Sequence, residues 1–244
     1  MTRVTLVVPC YNEAERWNAA YWSELAADPH LQLVFVNDGS SDATAAVIAA
    51  ACEATGSTFV DLPANVGKGE AVRKGLLEAL AGDSDIVGYL DADGAFPAAE
   101  VLRLAATAPD LLLRSDATYD SLWASRVLLA GRHIKRRASR HYIGRVVATA
   151  IAPFHRYEVY DTQSGYKLFV ADDRLRDCLR TPFGTRWFVD VELIQRWTNL
   201  TGTPMRIWEE PVAGWYDVAG SKLTGSQYGQ LGKDIVSLYR SRVR

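Results

Sequence analysis

The sequence predicts an α/β fold in which a mostly parallel sheet is flanked by helices. Short apolar runs have the length and composition of buried strands, at residues 5–8, 31–36, 58–62 and 86–90. Stretches with helical spacing or capping signals lie between them, at residues 13–27, 43–54 and 67–81. Strands that alternate with helices in this way build an open sheet with helices on both faces.

The first two strand and helix units carry the clearest local signals. The strand at 5–8 runs into a PCYN turn, and the strand at 31–36 runs into an NDGS turn. Turn residues of these types end strands. Apolar side chains recur at helical spacing within 13–27, and Asp42 is suited to cap an Ala-rich helix at 43–54.

The second half of the chain is less regular. We predict there a helix at 138–152, a strand at 166–170, helices at 172–179 and 189–198, a strand at 205–209 and a C-terminal helix from Gln227 to about Arg240. Neither a repeat nor a flexible linker separates the two halves, so one domain is predicted over residues 1–244.

Composition limits the class of protein. The chain has 244 residues, 48% of them hydrophobic and 23% charged, as in a globular protein with a sizeable core. A net charge of −2 argues against a surface built for nucleic acid. The three cysteines are widely spaced among apolar neighbours, a pattern that indicates buried thiols in a reducing compartment.

The sequence also predicts where the protein resides. No run approaches the ~18 to 20 consecutive apolar residues that span a bilayer. Met1 is not followed by a charged and then apolar leader. We therefore expect a cytoplasmic protein whose membrane contact, if it has one, is peripheral.

The turn at residues 91–94 carries the first candidate chemistry. Asp91 and Asp93 place two carboxylates within reach of one hard cation at the end of a buried strand, and Gly94 permits a tight turn. Mg²⁺ or Mn²⁺ is commonly held by one or two carboxylates together with diphosphate oxygens. Taken alone, the motif is more typical of a solvated acidic turn than of a metal site.

Three other polar motifs fall beside predicted strand ends. Residues 9–13 and 37–40 combine hydrogen-bonding side chains with a bend, which suits a base edge and a ribose but also an ordinary capped turn. Residues 65–69 add two glycines, Lys68 and a helix N-terminus, as needed to hold a phosphate or a sugar hydroxyl. This motif is neither GxGxxG nor GxxxxGK[ST], which argues against a dehydrogenase or a P-loop NTPase.

The coincidence of these motifs decides the interpretation. Ligands of open α/β sheets bind beyond the carboxyl ends of the strands. Candidates for reading a base, reading a ribose and binding a metal are all predicted at that one edge. Together they outweigh the separate interpretations as ordinary turns.

The chain resembles family 2 glycosyltransferases with the GT-A fold. The first half carries this resemblance in the segments VVPCYNE (7–13), VNDGSSD (36–42), NVGKG (65–69) and DADG (91–94). The second half is most similar to dolichyl-phosphate glucosyltransferases, in the segments DTQSGYKLF (161–169), RWFVDVEL (186–193) and GSKL (220–223). Two departures are mild: Asn37 and Ser164 replace a frequent Asp and Cys.

The resemblance implies roles for individual residues. Residues 1–95 would form the nucleotide-sugar-binding half, with contacts from Pro9, Tyr11, Asn12, Glu13, Asp38, Gly39, Asn65, Gly67, Lys68 and Asp91. Asp91 and Asp93 would bind Mg²⁺ or Mn²⁺. Residues 96–244 would form the acceptor-binding half, with an acceptor phosphate bound by Arg126, Arg137, Arg140 and Lys222. Asp161, Asp93 and Arg126 are the candidate catalytic residues, and Asp161 would either orient the acceptor or act as a base.

A basic stretch bears on the acceptor. Residues 121–157 contain eight of the 27 Lys and Arg residues and no Asp or Glu. A solvated face and nucleic-acid binding are the alternatives to a lipid phosphate. The stretch mixes its cations with apolar side chains such as Leu128 and Leu129, which suits an anionic membrane surface and a lipid phosphate better than nucleic acid.

The sequence thus predicts an inverting, metal-dependent glucosyltransferase acting at the cytoplasmic face of the membrane. UDP-glucose would be the donor and a polyprenyl phosphate the acceptor, both implied by the resemblance. The alternatives are another donor (GDP-mannose or UDP-N-acetylglucosamine), a hydroxylated small-molecule acceptor, or a non-catalytic nucleotide-sugar-binding protein. A sugar-nucleotide pyrophosphorylase would need a glycine-rich loop after the first strand, where this chain has residues 9–12.

Overall fold

The computed structural model describes residues 2–135 and 159–218, with Gly232, Asp234 and Val236 from the C-terminal segment. A seven-stranded sheet forms its centre, with strands from both halves of the chain. In chain order these strands are β1 (Val4–Cys10), β2 (Leu31–Asn37), β3 (Thr58–Asp61), β4 (Ile86–Leu90), β5 (Ser121–Ser125), β7 (Tyr166–Val170) and β8 (Ile207–Pro211). A second, two-stranded sheet is formed by β6 (His133–Lys135) and β9 (Gly214–Tyr216).

The sheet is mostly parallel, as predicted. Its strand order is β3-β2-β1-β4-β7-β5-β8. Only β7 runs antiparallel to its neighbours, β4 and β5. The carboxyl ends of β1, β2, β4 and β5 therefore lie at the same edge of the sheet.

Helices cover the sheet. They are α1 (Ala19–Ala26), α2 (Thr44–Thr55), α3 (Lys68–Ala81), α4 (Ala98–Leu112), α5 (Asp173–Cys178) and α6 (Val189–Thr201). None of the described helices is long and apolar enough to cross a bilayer. The helices predicted at 138–152 and 227–240 lie outside the described residues, apart from the three C-terminal positions already named.

Two predicted elements differ from the structure. The stretch 13–27 is a short 3₁₀ turn (Ala14–Arg16) followed by α1, because Asn18 is extended and its side chain accepts the Tyr21 N–H as a helix cap. The strand predicted at 205–209 lies two residues later, at β8, because parallel pairing of Ser121 with Ile207 sets its start.

Neither α4 nor β5 is among the predicted elements. The helix α4 follows Pro97 and contains Pro109, two residues that obscure a helical pattern. Its buried side chains are nevertheless at helical spacing, at Val101, Leu104, Ala105, Ala108 and Leu112. The strand β5 (SLWAS) is fully buried although two of its five residues are serines.

Two apolar layers hold the sheet to its helices. Along β1, Leu6 and Val8 belong to the layer that contains Trp22 and Leu104, whereas Val7 belongs to the opposite one, with Val72 and Trp197. Successive side chains of a strand point to opposite faces, so β1 anchors both layers. Burial on both faces makes the sheet a rigid base for the turns at its edge.

Candidate functional site

The turns after β1 and β2 are joined by hydrogen bonds. Asn12 has a left-handed backbone (φ 53°), its amide N–H donates to Ser40 Oγ at 3.0 Å, and its side-chain Oδ1 accepts the Ser41 N–H at 2.9 Å. The Asp38 N–H donates to the Cys10 carbonyl at 2.8 Å. The two turns are therefore one unit at the edge of the sheet, next to Pro9 at the end of β1.

Asp38 fixes the loop that precedes α3. It is 3% exposed, and its carboxylate accepts from Val66 N at 2.7 Å, Gly67 N at 2.9 Å and Asn65 Nδ2 at 2.9 Å. Both oxygens are used within the protein, so Asp38 shapes the surface on which a nucleotide would rest. Gly39 (φ +59°) lets the turn after β2 approach this loop closely, because a Cβ on residue 39 would lie 2.3 Å from the Ala64 backbone.

Tyr11 and Glu13 differ in their surroundings. Tyr11 is 47% exposed and leaves an aromatic ring free at the edge. Glu13 forms an ion pair with Arg16 at 2.5 Å. Burial raises the pKa of Glu13, and the charges of Asp93 and Asp91 raise it further while Arg16 lowers it. The negative charges of Asp91 and Asp93 therefore act on the carboxyl group of Glu13.

The acidic turn after β4 contacts the N-terminus of α3. Lys68 Nζ lies 2.5 Å from Asp91 Oδ1. Burial lowers the pKa of Lys68, but the carboxylate of Asp91 outweighs that effect, so the pKa is raised and the side chain stays charged. A cation thus stands directly beside the first of the two carboxylates.

Asp93 is held by the Ala95 N–H at 3.0 Å. Burial raises its pKa, and the neighbouring charge of Asp91 raises it further. A divalent cation would offset the charge of Asp91 on Asp93, and the hard oxygen atoms of the two carboxylates suit Mg²⁺ or Mn²⁺. In the part of the chain that the structure describes, no cluster of three or more His, Cys, Asp or Glu side chains could hold a metal. A cation on Asp91 and Asp93 would complete its coordination with water or with oxygen atoms of a bound molecule.

Arg126 brings the second half of the chain to the same edge. It follows β5 and binds Asp161 through two parallel contacts, from Nε to Oδ2 and from Nη2 to Oδ1, each 2.7 Å long. Its guanidinium also lies 5.1 Å from the Trp215 ring centroid. Burial lowers the pKa of Arg126, but the charges of Asp161, Asp91 and Asp93 outweigh it, so the pKa is raised.

The structure thus places the predicted residues of the first half, together with Arg126 and Asp161, on one edge. Three predicted acceptor residues lie outside the described part of the chain: Arg137, Arg140 and Lys222. Sequence reasoning missed Arg186. Its guanidinium donates to Asn65 Oδ1, and its Nε would lie 2.6 Å from a Cβ placed on Gly67. Sequence reasoning also missed Gly165, which has no room for a Cβ beside Asp91.

Comparison with known proteins supplies the family. Residues 5–112 match the model of Glycosyl transferase family 2. Dolichyl-phosphate beta-glucosyltransferase of Drosophila melanogaster is 30% identical over 253 residues, which cover 97% of this chain and 74% of that protein. The chain belongs to glycosyltransferase family 2. The human dolichyl-phosphate beta-glucosyltransferase is 27% identical to this glycosyltransferase and covers 96% of it, with 74% of the human protein covered in turn.

Solved structures show that this glycosyltransferase has the GT-A fold. Glucosyl-3-phosphoglycerate synthase from Mycobacterium tuberculosis, solved with Mn²⁺ and UDP, aligns with a TM-score of 0.64 at 19% identity, over 99% of this chain and 80% of that one. A mannosyltransferase from Pyrobaculum calidifontis, solved with GDP-Man and Mn²⁺, aligns with a TM-score of 0.65 at 20% identity, over 99% and 64%. The predicted fold is confirmed.

Proposed function

We propose that this glycosyltransferase transfers glucose from UDP-glucose to a polyprenyl phosphate, with inversion and with the help of a divalent cation. The observation that carries the proposal is the meeting, at one sheet edge, of the carboxylates Asp91 and Asp93 with the buried cation Arg126. The dolichyl-phosphate beta-glucosyltransferases among its relatives support the choice of donor and acceptor.

The donor would rest on the surface built by the first half. The exposed ring of Tyr11 and the turns of Asn12 and Gly39 face the region for uracil and ribose, on a frame held by Asp38. Lys68 is charged and 30% exposed, so it is able to contact the diphosphate. These contacts bind and orient the donor before any bond changes.

Asp91 and Asp93 would hold the Mg²⁺ or Mn²⁺. Such a cation supplies stabilisation of the negative charge that grows on the diphosphate as it leaves. Lys68 contributes positive charge to the same region. Its ion pair with Asp91 keeps the ammonium at the edge where the diphosphate would bind.

The acceptor phosphate would attack the anomeric carbon from the side of Arg126. A new bond forms between a phosphate oxygen and that carbon while its bond to the UDP oxygen breaks, and UDP leaves. The second pKa of a phosphate monoester is about 6, so the nucleophile is already largely ionised at neutral pH. No general base is needed, which agrees with the use of both Asp161 oxygens in binding Arg126. We therefore assign Asp161 to positioning.

Exposed apolar side chains support a lipid acceptor and peripheral membrane contact. Leu128 is 72% exposed and Leu129 is 45% exposed, only two and three residues beyond Arg126. Lys135 and Tyr216 lie on the small sheet of β6 and β9, with the ammonium 5.8 Å from the ring centroid. Cations next to exposed apolar groups favour binding to an anionic lipid surface. This arrangement suits a protein that works at the cytoplasmic face of the membrane.

A transfer assay tests the proposal. Purified protein with Mg²⁺ is given radiolabelled UDP-glucose, GDP-mannose or UDP-N-acetylglucosamine, with and without polyprenyl phosphate, and the organic phase is counted. We expect lipid label from UDP-glucose alone. Lipid label from another donor would overturn the choice of sugar. UDP release with hydroxylated acceptors, without lipid label, would overturn the acceptor and restore Asp161 as a candidate base.

A further inference from the structure

A buried lysine lies beneath the site and takes no part in the proposed chemistry. Lys167, on β7, is 0% exposed. Its ammonium donates to the carbonyls of Thr162 at 2.9 Å and Ser164 at 2.6 Å, and to the Tyr89 hydroxyl at 3.0 Å. These acceptors use all three of its hydrogens. Asp190 Oδ1 lies 3.1 Å away and offsets the cost of burying the charge.

The two carbonyls belong to a turn, residues 161–165, that contacts both sides of the site. At its start, Asp161 binds Arg126. At its end, the Gly165 carbonyl accepts the Asp91 N–H at 2.8 Å, and a Cβ on Gly165 would lie 2.2 Å from Asp91 Oδ2. A shift of this turn would therefore displace both Arg126 and Asp91.

Two polar side-chain groups in the middle of the turn make no hydrogen bond within the described part of the chain that could hold it. Within the described residues, Gln163 Nε2 and Ser164 Oγ are buried without a hydrogen-bond partner. Glu209 anchors only the start, by accepting the N–H groups of Tyr160 at 2.6 Å and Asp161 at 2.9 Å. The middle of the turn is held by Lys167 through its carbonyls.

We propose that Lys167 is a positioning residue that sets the spacing between Arg126 and Asp91 by holding the 161–165 turn. The inference rests on the proposed function, since it takes Asp91 as part of the donor site and Arg126 as part of the acceptor site. Removal of the ammonium leaves two buried carbonyls without their donor, and the turn relaxes to satisfy them. Donor binding and acceptor use are then affected together.

Two variants isolate the lysine. Loss of Lys167 alone would leave the buried carboxylate of Asp190 without its cation and with the Tyr89 hydroxyl as a neutral donor. D190N is therefore compared with the double variant K167M/D190N, which differs from it only at Lys167. Methionine approximates the aliphatic part of the lysine side chain and lacks the ammonium. Circular dichroism and thermal unfolding establish that both variants are folded. The affinity for UDP in the presence of Mn²⁺ is measured by calorimetry, and kcat and KM are measured with farnesyl phosphate.

We expect the double variant to bind UDP and Mn²⁺ about 10-fold more weakly than D190N and to lose at least as much in kcat, as is typical for residues that orient metal ligands. Equal UDP affinity and equal kcat in the two folded variants would overturn the inference. The binding comparison does not use the acceptor. Wild-type protein that binds UDP with Mn²⁺ but forms no lipid product would contradict the proposed function and leave the test of Lys167 intact.

A third variant separates positioning from general destabilisation. E209Q loosens only the Asp161 end of the turn, so we expect a higher KM for farnesyl phosphate with unchanged UDP affinity. A general loss of stability would instead lower the apparent kcat and the fraction of protein that binds UDP, each in proportion to unfolding, without a selective rise in KM. Parallel losses in E209Q and K167M/D190N would count against a turn whose start and middle are anchored separately.

Discussion

The proposed donor side and the proposed acceptor side of the site are held in different ways. The donor side is made of turns that directly follow β1, β2 and β4, and short hydrogen bonds such as those of Asn12 and Asp38 link neighbouring turns. The acceptor side depends on side-chain ion pairs between distant segments, above all Arg126 with Asp161. The donor side is thus formed by the sheet edge itself. The acceptor side is formed by one turn and the residues that anchor it, so a single substitution should disturb the acceptor side without disturbing the donor side.

The largest effect is expected on the donor side, from D93N. Asparagine still accepts the Ala95 N–H, so the fold should persist, but the carboxylate that would bind the cation is lost. We expect kcat with UDP-glucose and Mn²⁺ to fall by about 10² to 10³ fold, the loss typical of removing one group that stabilises transition-state charge. Radiolabel transfer measures the rate, and circular dichroism is the control. Full activity in the folded variant would refute the metal assignment.

A slightly smaller effect is expected where the two sides meet, from G165A. The added Cβ would lie 2.2 Å from Asp91 Oδ2, so Asp91 must move. A displacement of this kind costs about 10²-fold in rate. G82A is the matched control, because a Cβ at Gly82 meets nothing closer than 3.5 Å. If steady-state rates of the two variants were the same, Gly165 would have no role in placing Asp91.

Two similar ion pairs at opposite ends of β5 sharpen the comparison further. Asp161 binds Arg126 at the site, and Asp120 binds Arg206 before the strand begins, again through two side-chain contacts. D161N and D120N should each lower the free energy of unfolding by about 2 kcal/mol, because each breaks charged hydrogen bonds of a buried carboxylate. Only D161N should also lower the rate of transfer, by about 10-fold or more.

Denaturant unfolding and radiolabel transfer measure the two effects. Asp120 adds a pH test. Burial raises its pKa, but the hydrogen bonds from Arg206 outweigh that and lower it. A lowered pKa in the folded state gives stability above the unfolded pKa of Asp, about 3.9, that is lost as pH falls towards the folded pKa. D120N should remove this part of the acid dependence. A rate loss in D120N equal to that in D161N would mean that both pairs act only on the fold.

The smallest effect is expected at the exposed apolar residues. The double variant L128S/L129S should keep its stability and its UDP affinity, since both side chains are exposed. Binding to vesicles of phosphatidylcholine and phosphatidylserine should weaken by about 10-fold, because each partly inserted leucine would contribute about 0.7 kcal/mol, roughly half of the lower value for full burial of a leucine. L200S is the control, an exposed leucine on α6 outside the basic stretch. Co-sedimentation equal in the two variants would argue against docking through this loop.

The difference between the two sides also explains what the sequence could predict. The donor residues stand directly after strands, so a pattern of apolar runs and turns was enough to gather them at one edge. Lys167 had no such signal. Its burial depends on Tyr89, 78 residues away, and on Asp190 in α6, whereas a lysine in the strand YKLFV is ordinarily exposed.

The same limit applies to Arg126 and Asp161, which are 35 residues apart. The resemblance to dolichyl-phosphate glucosyltransferases singled out both residues, but their pairing followed only from the three-dimensional arrangement of β5 and the 161–165 turn. Of the two roles that the resemblance left open for Asp161, this pairing favours positioning over action as a base. Strand β5 was missed for a similar reason, since its burial comes from its neighbours β7 and β8 rather than from its own composition.

The most direct test of the account is the partition of UDP-glucose between two fates in R126A. Transfer to polyprenyl phosphate and slow hydrolysis by water use the same donor site, and Arg126 is assigned to the acceptor alone. The ratio of lipid label to free glucose should therefore fall by about 10-fold or more while hydrolysis continues. An unchanged ratio would contradict the proposed place of the acceptor phosphate, and if both reactions also fell equally, Arg126 would belong to the donor site.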